Sequence, residues 1–133
     1  GKLLADVASG AVKGVIVLGA DAADAAEALA KLADVAVVVS LSSHVGAFSP
    51  LASHLLPVAS HLETHGTFVN AKGRAEPFKR VVGAAPGVEP AWRTLASLAS
   101  LLGQSMDWAG LKELRAELGA SDTAYAAIGE ARV

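Results

Sequence analysis

Cysteine is absent from the 133 residues, and aromatic side chains make up only 5% of them. The first absence excludes a disulfide scaffold, thiolate-held zinc, a Cys-ligated iron–sulfur cluster and a thiol nucleophile within this chain. The second, set against 53% hydrophobic residues, leaves Ala, Leu and Val as the apolar mass, the composition of a helix-rich core of small side chains. Neither sign of charge dominates: 11 Lys+Arg face 13 Asp+Glu, a formal net charge of -2. A dedicated nucleic-acid binder usually carries a clear basic excess, so no nucleic-acid partner is expected. Long apolar runs are missing too. The longest run of apolar residues and glycine, Gly14 to Ala20, falls far short of the ~20 residues that span a bilayer, so a soluble piece without membrane insertion is expected. Methionine occurs once, as Met106, and the chain opens on Gly1 with no long apolar stretch behind Lys2. We therefore expect a piece of something longer, or a chain whose leader was removed.

What is present reads as a βαβ unit followed by a polar insert and helices. Leu3, Leu4, Val7, Ala8 and Ala11 fall near one helical face over residues 3–12. Gly14-Val15-Ile16-Val17-Leu18-Gly19 is a β-branched run between glycines, a buried strand. Asp21 is a good N-cap for an Ala-, Leu- and Glu-rich helix to Ala33, and Val35–Val39 is a second strand, buried on both faces. Strand, helix, strand predicts a parallel sheet. Ser49-Pro50 looks like a helix start, with Ser as cap and Pro at the first position. Leu55–Ala59 suits an edge strand because Pro57 cannot donate to a central ladder. Short strands are expected at Thr67–Val69 and Ala75–Phe78, then a turn-rich connector from Gly83 to Pro90. A helix opens at Pro90-Ala91-Trp92 and stops at Gly103; Asp107 caps another that ends at Gly119, with Glu113, Glu117, Lys112 and Arg115 marking its solvated side. One last short turn of helix is expected from Ser121 to Ala127. The expected fold is α/β, a Rossmann-like three-layer fragment with a short parallel sheet, a polar loop or hairpin insert and C-terminal helices. Its parts are residues 1–60, 61–89 and 90–133, forming one compact unit.

No catalytic residue declares itself. His54, His61 and His65, with Glu63 between the last two, invite a metal, but His61-Leu62-Glu63-Thr64-His65 has its Glu one place away from an H-E-x-x-H pattern. Catalytic zinc wants three convergent ligands and an open position, so polar loop histidines are the default and no metal is expected. Gly19-Ala20-Asp21 joins a strand to a helix, where backbone amides can hold an anion, yet G-x-G-x-x-G and the P-loop Lys-Ser/Thr pair are both absent. Lys72, Arg74, Lys79 and Arg80 cluster as an anion surface or a solvated loop, with too few aromatics for single-stranded nucleic acid. Ser42, Ser43 and Ser60 lack a G-x-S-x-G elbow.

The stretch from Leu55 to Arg74 carries Leu56-Pro57, Glu63, Gly66-Thr67, Asn70 and Gly73-Arg74. It resembles the L-P-x-x-x-x-x-E-x-x-G-T-x-x-N-x-E-G-R signature of the molybdopterin oxidoreductase family. Val17–Asp21 is similar to the family's strand-Gly-x-Asp-Pro turn, Val35–Val39 to the strand that follows it, and Pro86–Arg93 through Leu101-Leu102-Gly103 to its P-x-G-x-A-x-x-D-W tail. The resemblance covers residues 13–103. Lys72 replaces the acidic residue before Gly-Arg, and Ala22 replaces the Pro of the turn. Val45–Phe48 and Ala52–Pro57 replace the family's Thr-Glu-Thr-Ala and Ala-Asp-Val-Val-Leu-Pro segments.

In the family's molybdenum enzymes this region lies near the pterin dinucleotide; in its branch within respiratory complex I the fold persists without that cofactor. The departures favour the second. The resemblance then implies a structural, docking C-terminal segment whose partners are the rest of its own subunit and other complex I subunits. It would lie on the cytoplasmic side, peripheral to the inner membrane. Iron–sulfur clusters belong to other parts of the parent, and no cofactor or catalysis to this piece. Gly19, Asp21, Glu63, Gly66, Thr67, Asn70, Gly73 and Arg74 occupy the family's cofactor-binding positions and are expected to persist as a loop scaffold, two glycines serving awkward backbone angles and Asn and Thr bonding nearby backbone. Two rivals stay open. One is a fragment of a molybdopterin-dependent, formate dehydrogenase-like enzyme touching the pterin nucleotide; the other is a stand-alone interaction module using the Lys72–Arg80 patch.

Overall fold

The computed structural model describes residues 2–19 and 30–121. They form a mixed α/β structure with a three-stranded parallel sheet, a two-stranded antiparallel sheet and C-terminal helices. The chain divides into two compact units, Gly1–Val58 and Ala59–Val133.

In the first unit, helix α1 (Lys2–Ala8) is shorter than the apolar spacing over 3–12 predicts. Gly10 takes a left-handed φ of 73°, and the Gly10 and Ala11 amides fold back on the Val7 and Asp6 carbonyls. That turn ends the helix and sends the chain into β1 (Gly14–Leu18). Strand β2 is Val37–Ser42, two residues later than the expected Val35–Val39. The Val35 amide is spent on the Leu32 carbonyl at 3.1 Å, so Val35 and Ala36 belong to the turn before the strand. The expected helix from Asp21 lies outside the described residues apart from 30–32, which are helical. β1 and β2 pair in parallel with Gly14 opposite Val37 and Leu18 opposite Leu41.

Strand β3 (His54–Pro57) adds in parallel to the far side of β2, so Pro57 sits at the end of an edge strand, where no ladder donor is missed. Ahead of it, the Ser53 hydroxyl accepts from the Val38 amide and donates to the Val38 carbonyl, both at 3.0 Å, prolonging the ladder with a side chain. Ser49-Pro50 does not start an α-helix: Ser49–Leu51 is a single 3-10 turn with Phe48, not Ser49, at the cap position. The Ser49 hydroxyl instead accepts from the Gly46 amide.

Alternation divides the sheet into two unlike faces. Val15, Val17 and Val38 lie on the face that packs with Val7, Leu32 and Phe48. On the other, Leu41 is fully buried but Ile16, Leu18 and Val37 are 49%, 51% and 44% exposed. The expectation that the second strand is buried on both faces therefore holds only for part of it.

The second unit begins with a hairpin, β4 (Gly66–Val69) and β5 (Ala75–Phe78), paired antiparallel with Gly66 opposite Phe78. After the turn at Gly87 comes helix α2 (Ala91–Leu101). It ends in a Schellman arrangement: Gly103 has φ 79°, its amide bonds Ser100, and the Gln104 amide bonds Ala99. Helix α3 runs Leu111–Ser121. Asp107 is not its cap, since the helix starts four residues later, and Asp107 accepts from the Ser105 hydroxyl at 2.8 Å. Gly119 lies inside α3 rather than ending it. The expected turn from Ser121 to Ala127 lies outside the described residues beyond Ser121 itself.

Leu41, with no exposed surface, tests this placement. Leu41→Ala is expected to lower unfolding free energy by about 2–5 kcal/mol in a denaturant titration, and Ile16→Ala by markedly less. Equal losses would contradict the two-faced sheet.

Candidate functional site

The motif that carries the family resemblance is built on the β4–β5 hairpin and the turn before it. At the tip, the Asn70 side-chain oxygen accepts from the Lys72 amide at 2.9 Å and the Arg74 amide at 3.1 Å. The Gly73 amide bonds the Asn70 carbonyl, and Gly73 has φ 77°, a conformation that suits glycine. Asn70 and Gly73 therefore define the turn together. Arg74 pairs with Glu76, two residues on, and both side chains are more than half exposed.

At the hairpin's other end, Gly66 is required by packing rather than by its backbone angles. A Cβ there would overlap the ring of Phe78, its cross-strand neighbour. Phe78 in turn stacks on Phe68 with centroids 4.5 Å apart, and His61 meets Phe68 edge-on at 6.2 Å. The Gly66 carbonyl accepts from the guanidinium of Arg115 at 3.0 Å. Arg115 is only 8% exposed, so its assignment to the solvated side of the last helix is corrected. It falls four residues after Leu111 and three before Leu118, on the apolar stripe, and its long stem suits burial while its head needs an acceptor.

Glu63, in the turn before β4, accepts through one oxygen from the Ser60 amide at 2.9 Å and the Ser60 hydroxyl at 2.8 Å. The backbone bond first, and the hydroxyl second, hold the Glu63 carboxyl below its ordinary range. Thr67 departs from expectation: its hydroxyl is buried with no partner, rather than bonded to nearby backbone. Glu63, Gly66, Thr67, Asn70, Gly73 and Arg74 are thus brought onto one short segment. Gly19, in the first unit, has φ 56° and donates to the Leu41 carbonyl at 3.0 Å; Asp21 lies outside the described residues.

Among the described residues no group of three His, Asp or Glu side chains is placed to hold a metal ion. His54 lies in β3, and His65 accepts from the Arg80 amide at 3.5 Å. A cleft of about 420 Å³ in the second unit is lined by Glu63, His65, Arg80, Trp92 and Arg93 among others. Sequence patterning gives Trp92 and Arg93 no role beyond helix α2, because nothing local distinguishes a cleft residue from a packed one.

A mixed α/β scaffold presenting a Gly-Thr…Asn…Gly-Arg hairpin defines the class, and comparison with known proteins agrees. The chain belongs to the molybdopterin oxidoreductase family, whose model matches residues 2–101. It is 35% identical over 105 residues to the G subunit of NADH-quinone oxidoreductase from Pseudomonas fluorescens, a match covering 74% of this chain. The matched region spans 12% of that relative's length.

Two outcomes test the hairpin. Arg115→Ala, which strips the Gly66 carbonyl of its charged donor, is expected to cost about 2 kcal/mol by denaturant titration. Ser60→Ala removes the hydroxyl bond to Glu63 and keeps the amide bond, so the Glu63 titration followed by NMR is expected to move part of the way up to an ordinary carboxylate; no movement would contradict the assignment. Because the folded carboxyl is depressed, its contribution to stability is present above the ordinary carboxylate range and is lost as pH falls through the lowered value.

Proposed function

We propose that this chain is a structural and docking segment of a protein akin to the G subunit of NADH-quinone oxidoreductase. It supports electron transfer from NADH to quinone by the assembled complex and carries no redox centre itself. The observation behind the docking role is the second face of the parallel sheet, where Ile16, Leu18 and Val37 stay about half exposed. Parallel sheets are ordinarily covered on both faces, and exposed aliphatic area forfeits about 25 cal/mol per Å². A covering surface from the rest of a longer subunit, or from a neighbouring subunit, recovers that energy.

The motif segment supports the same view. Apart from the Thr67 hydroxyl, which has no partner, its polar groups are engaged within the chain: Glu63 by Ser60, Asn70 by the Lys72 and Arg74 amides, Arg74 by Glu76, and the Gly66 carbonyl by Arg115. The space beside the Gly66 Cα is filled by the Phe78 ring. These groups fit a self-supporting scaffold better than a cradle for a pterin nucleotide, and no chemistry is assigned to them. Iron–sulfur clusters belong, on this proposal, to Cys-bearing parts of the parent, since this chain has no Cys. The segment sits in the peripheral, cytoplasmic-side part of a membrane-associated complex; no helix among the described residues is long and apolar enough to cross a membrane.

The test is assembly. In the full-length protein, Ile16→Lys with Val37→Lys is expected to leave the segment folded while sharply lowering incorporation into the complex, measured on native gels. The complex that does assemble is expected to keep normal NADH:quinone turnover. Normal incorporation with impaired turnover would replace docking by a catalytic role.

A further inference from the structure

The second unit's cleft, about 420 Å³, falls in the size range of sites for small organic ligands. Of the described residues at the family's cofactor-binding positions only Glu63 lines it, held by Ser60, while Val88, Glu89, Pro90, Trp92 and Arg93 come from the family's tail segment. The cleft is therefore separate in composition from the motif hairpin, and ligand binding there is independent of the docking role.

Its wall joins two unlike surfaces. Trp92, Val88 and Leu111 supply an apolar, partly aromatic side, while Arg80 and Arg93 supply cations. Arg93 lies 5.2 Å over the Trp92 ring and 3.7 Å from Glu89, so its charge is already partly answered. No described carboxylate pairs with Arg80. The backbone adds charge of the same sign. Pro90 and Gly110, which directly precede α2 and α3, both line the cleft, so two helix starts open onto one space. Glu113 offsets the α3 end, but α2 has neither an acidic residue in its first turn nor a side-chain cap. The Trp92 indole N–H is buried with no acceptor.

We propose that this cleft binds a small ligand in which an oxyanion is joined to a flat apolar ring. The anion is held by Arg80, and the ring lies along the wall of Trp92, Val88 and Leu111. Aryl carboxylates and aryl phosphates share that chemistry.

The test is an amide-resolved NMR titration of the 133-residue chain with benzoate, phenyl phosphate and inorganic phosphate. Saturable shifts are expected at Ala91, Trp92, Leu111 and the Trp92 indole N–H. At least one aryl anion should bind about tenfold or more tightly than inorganic phosphate, and the tighter of the two identifies the anion. Arg80→Ala and Arg80→Gln should each weaken binding about tenfold, while Lys79→Ala, an equal loss of charge one residue away, should not. The proposal is overturned by shifts that fail to saturate at millimolar ligand, by equal affinity for inorganic phosphate and the aryl anions, or by equal losses in the Arg80 and Lys79 variants.

Discussion

A parallel sheet needs cover on both sides, and among the described residues one side is covered from within. Val7, Leu32 and Phe48 close over Val17 and Val38, whereas Ile16, Leu18 and Val37 face outward. The asymmetry follows from strand register. With Gly14 opposite Val37 and Leu18 opposite Leu41, alternation gathers these aliphatic side chains onto a single surface instead of scattering them. A scattered set would be ordinary surface; on the docking proposal, one gathered on a parallel sheet serves as a contact surface.

The hairpin follows the opposite rule, meeting most of its polar groups from within, the buried Thr67 hydroxyl excepted. Asn70 closes the tip, Ser60 holds Glu63, and Arg115 reaches the Gly66 carbonyl across 49 residues of sequence. Arg115 lies beyond the family match, which ends at residue 101. A helix outside the shared region thus fixes a glycine within it, and the aromatic stack of Phe68 on Phe78 covers that glycine's backbone. On the proposal made above, motif residues held in this way serve geometry first.

Where local chemistry decides the structure, the sequence alone was legible. Ala75–Phe78 is β5 as expected and Thr67–Val69 gains only Gly66, because Asn70 and Gly73 specify the turn between them. The stop at Gly103 was equally readable from the demand for a left-handed residue. Errors arise where a tertiary or neighbouring backbone bond takes a residue first. Val35 looks like strand but its amide belongs to Leu32; Ser49 looks like a cap but serves Gly46. Arg115 looks solvated because only its distant acceptor explains its burial. The motif positions were visible as a pattern, while the cleft formed by residues from Glu63 to Leu111 was not, since no spacing rule joins them.

The docking claim is tested most directly by side-chain footprinting. Carbene labelling of Ile16, Leu18 and Val37 is compared between the isolated 133-residue chain and the full-length protein within its assembled complex. Strong labelling in the isolated chain and protection on assembly are the predicted result, with Leu41 unlabelled in both states. Equal labelling of Ile16, Leu18 and Val37 in the isolated and assembled forms would contradict a covered sheet face and, with it, the docking role.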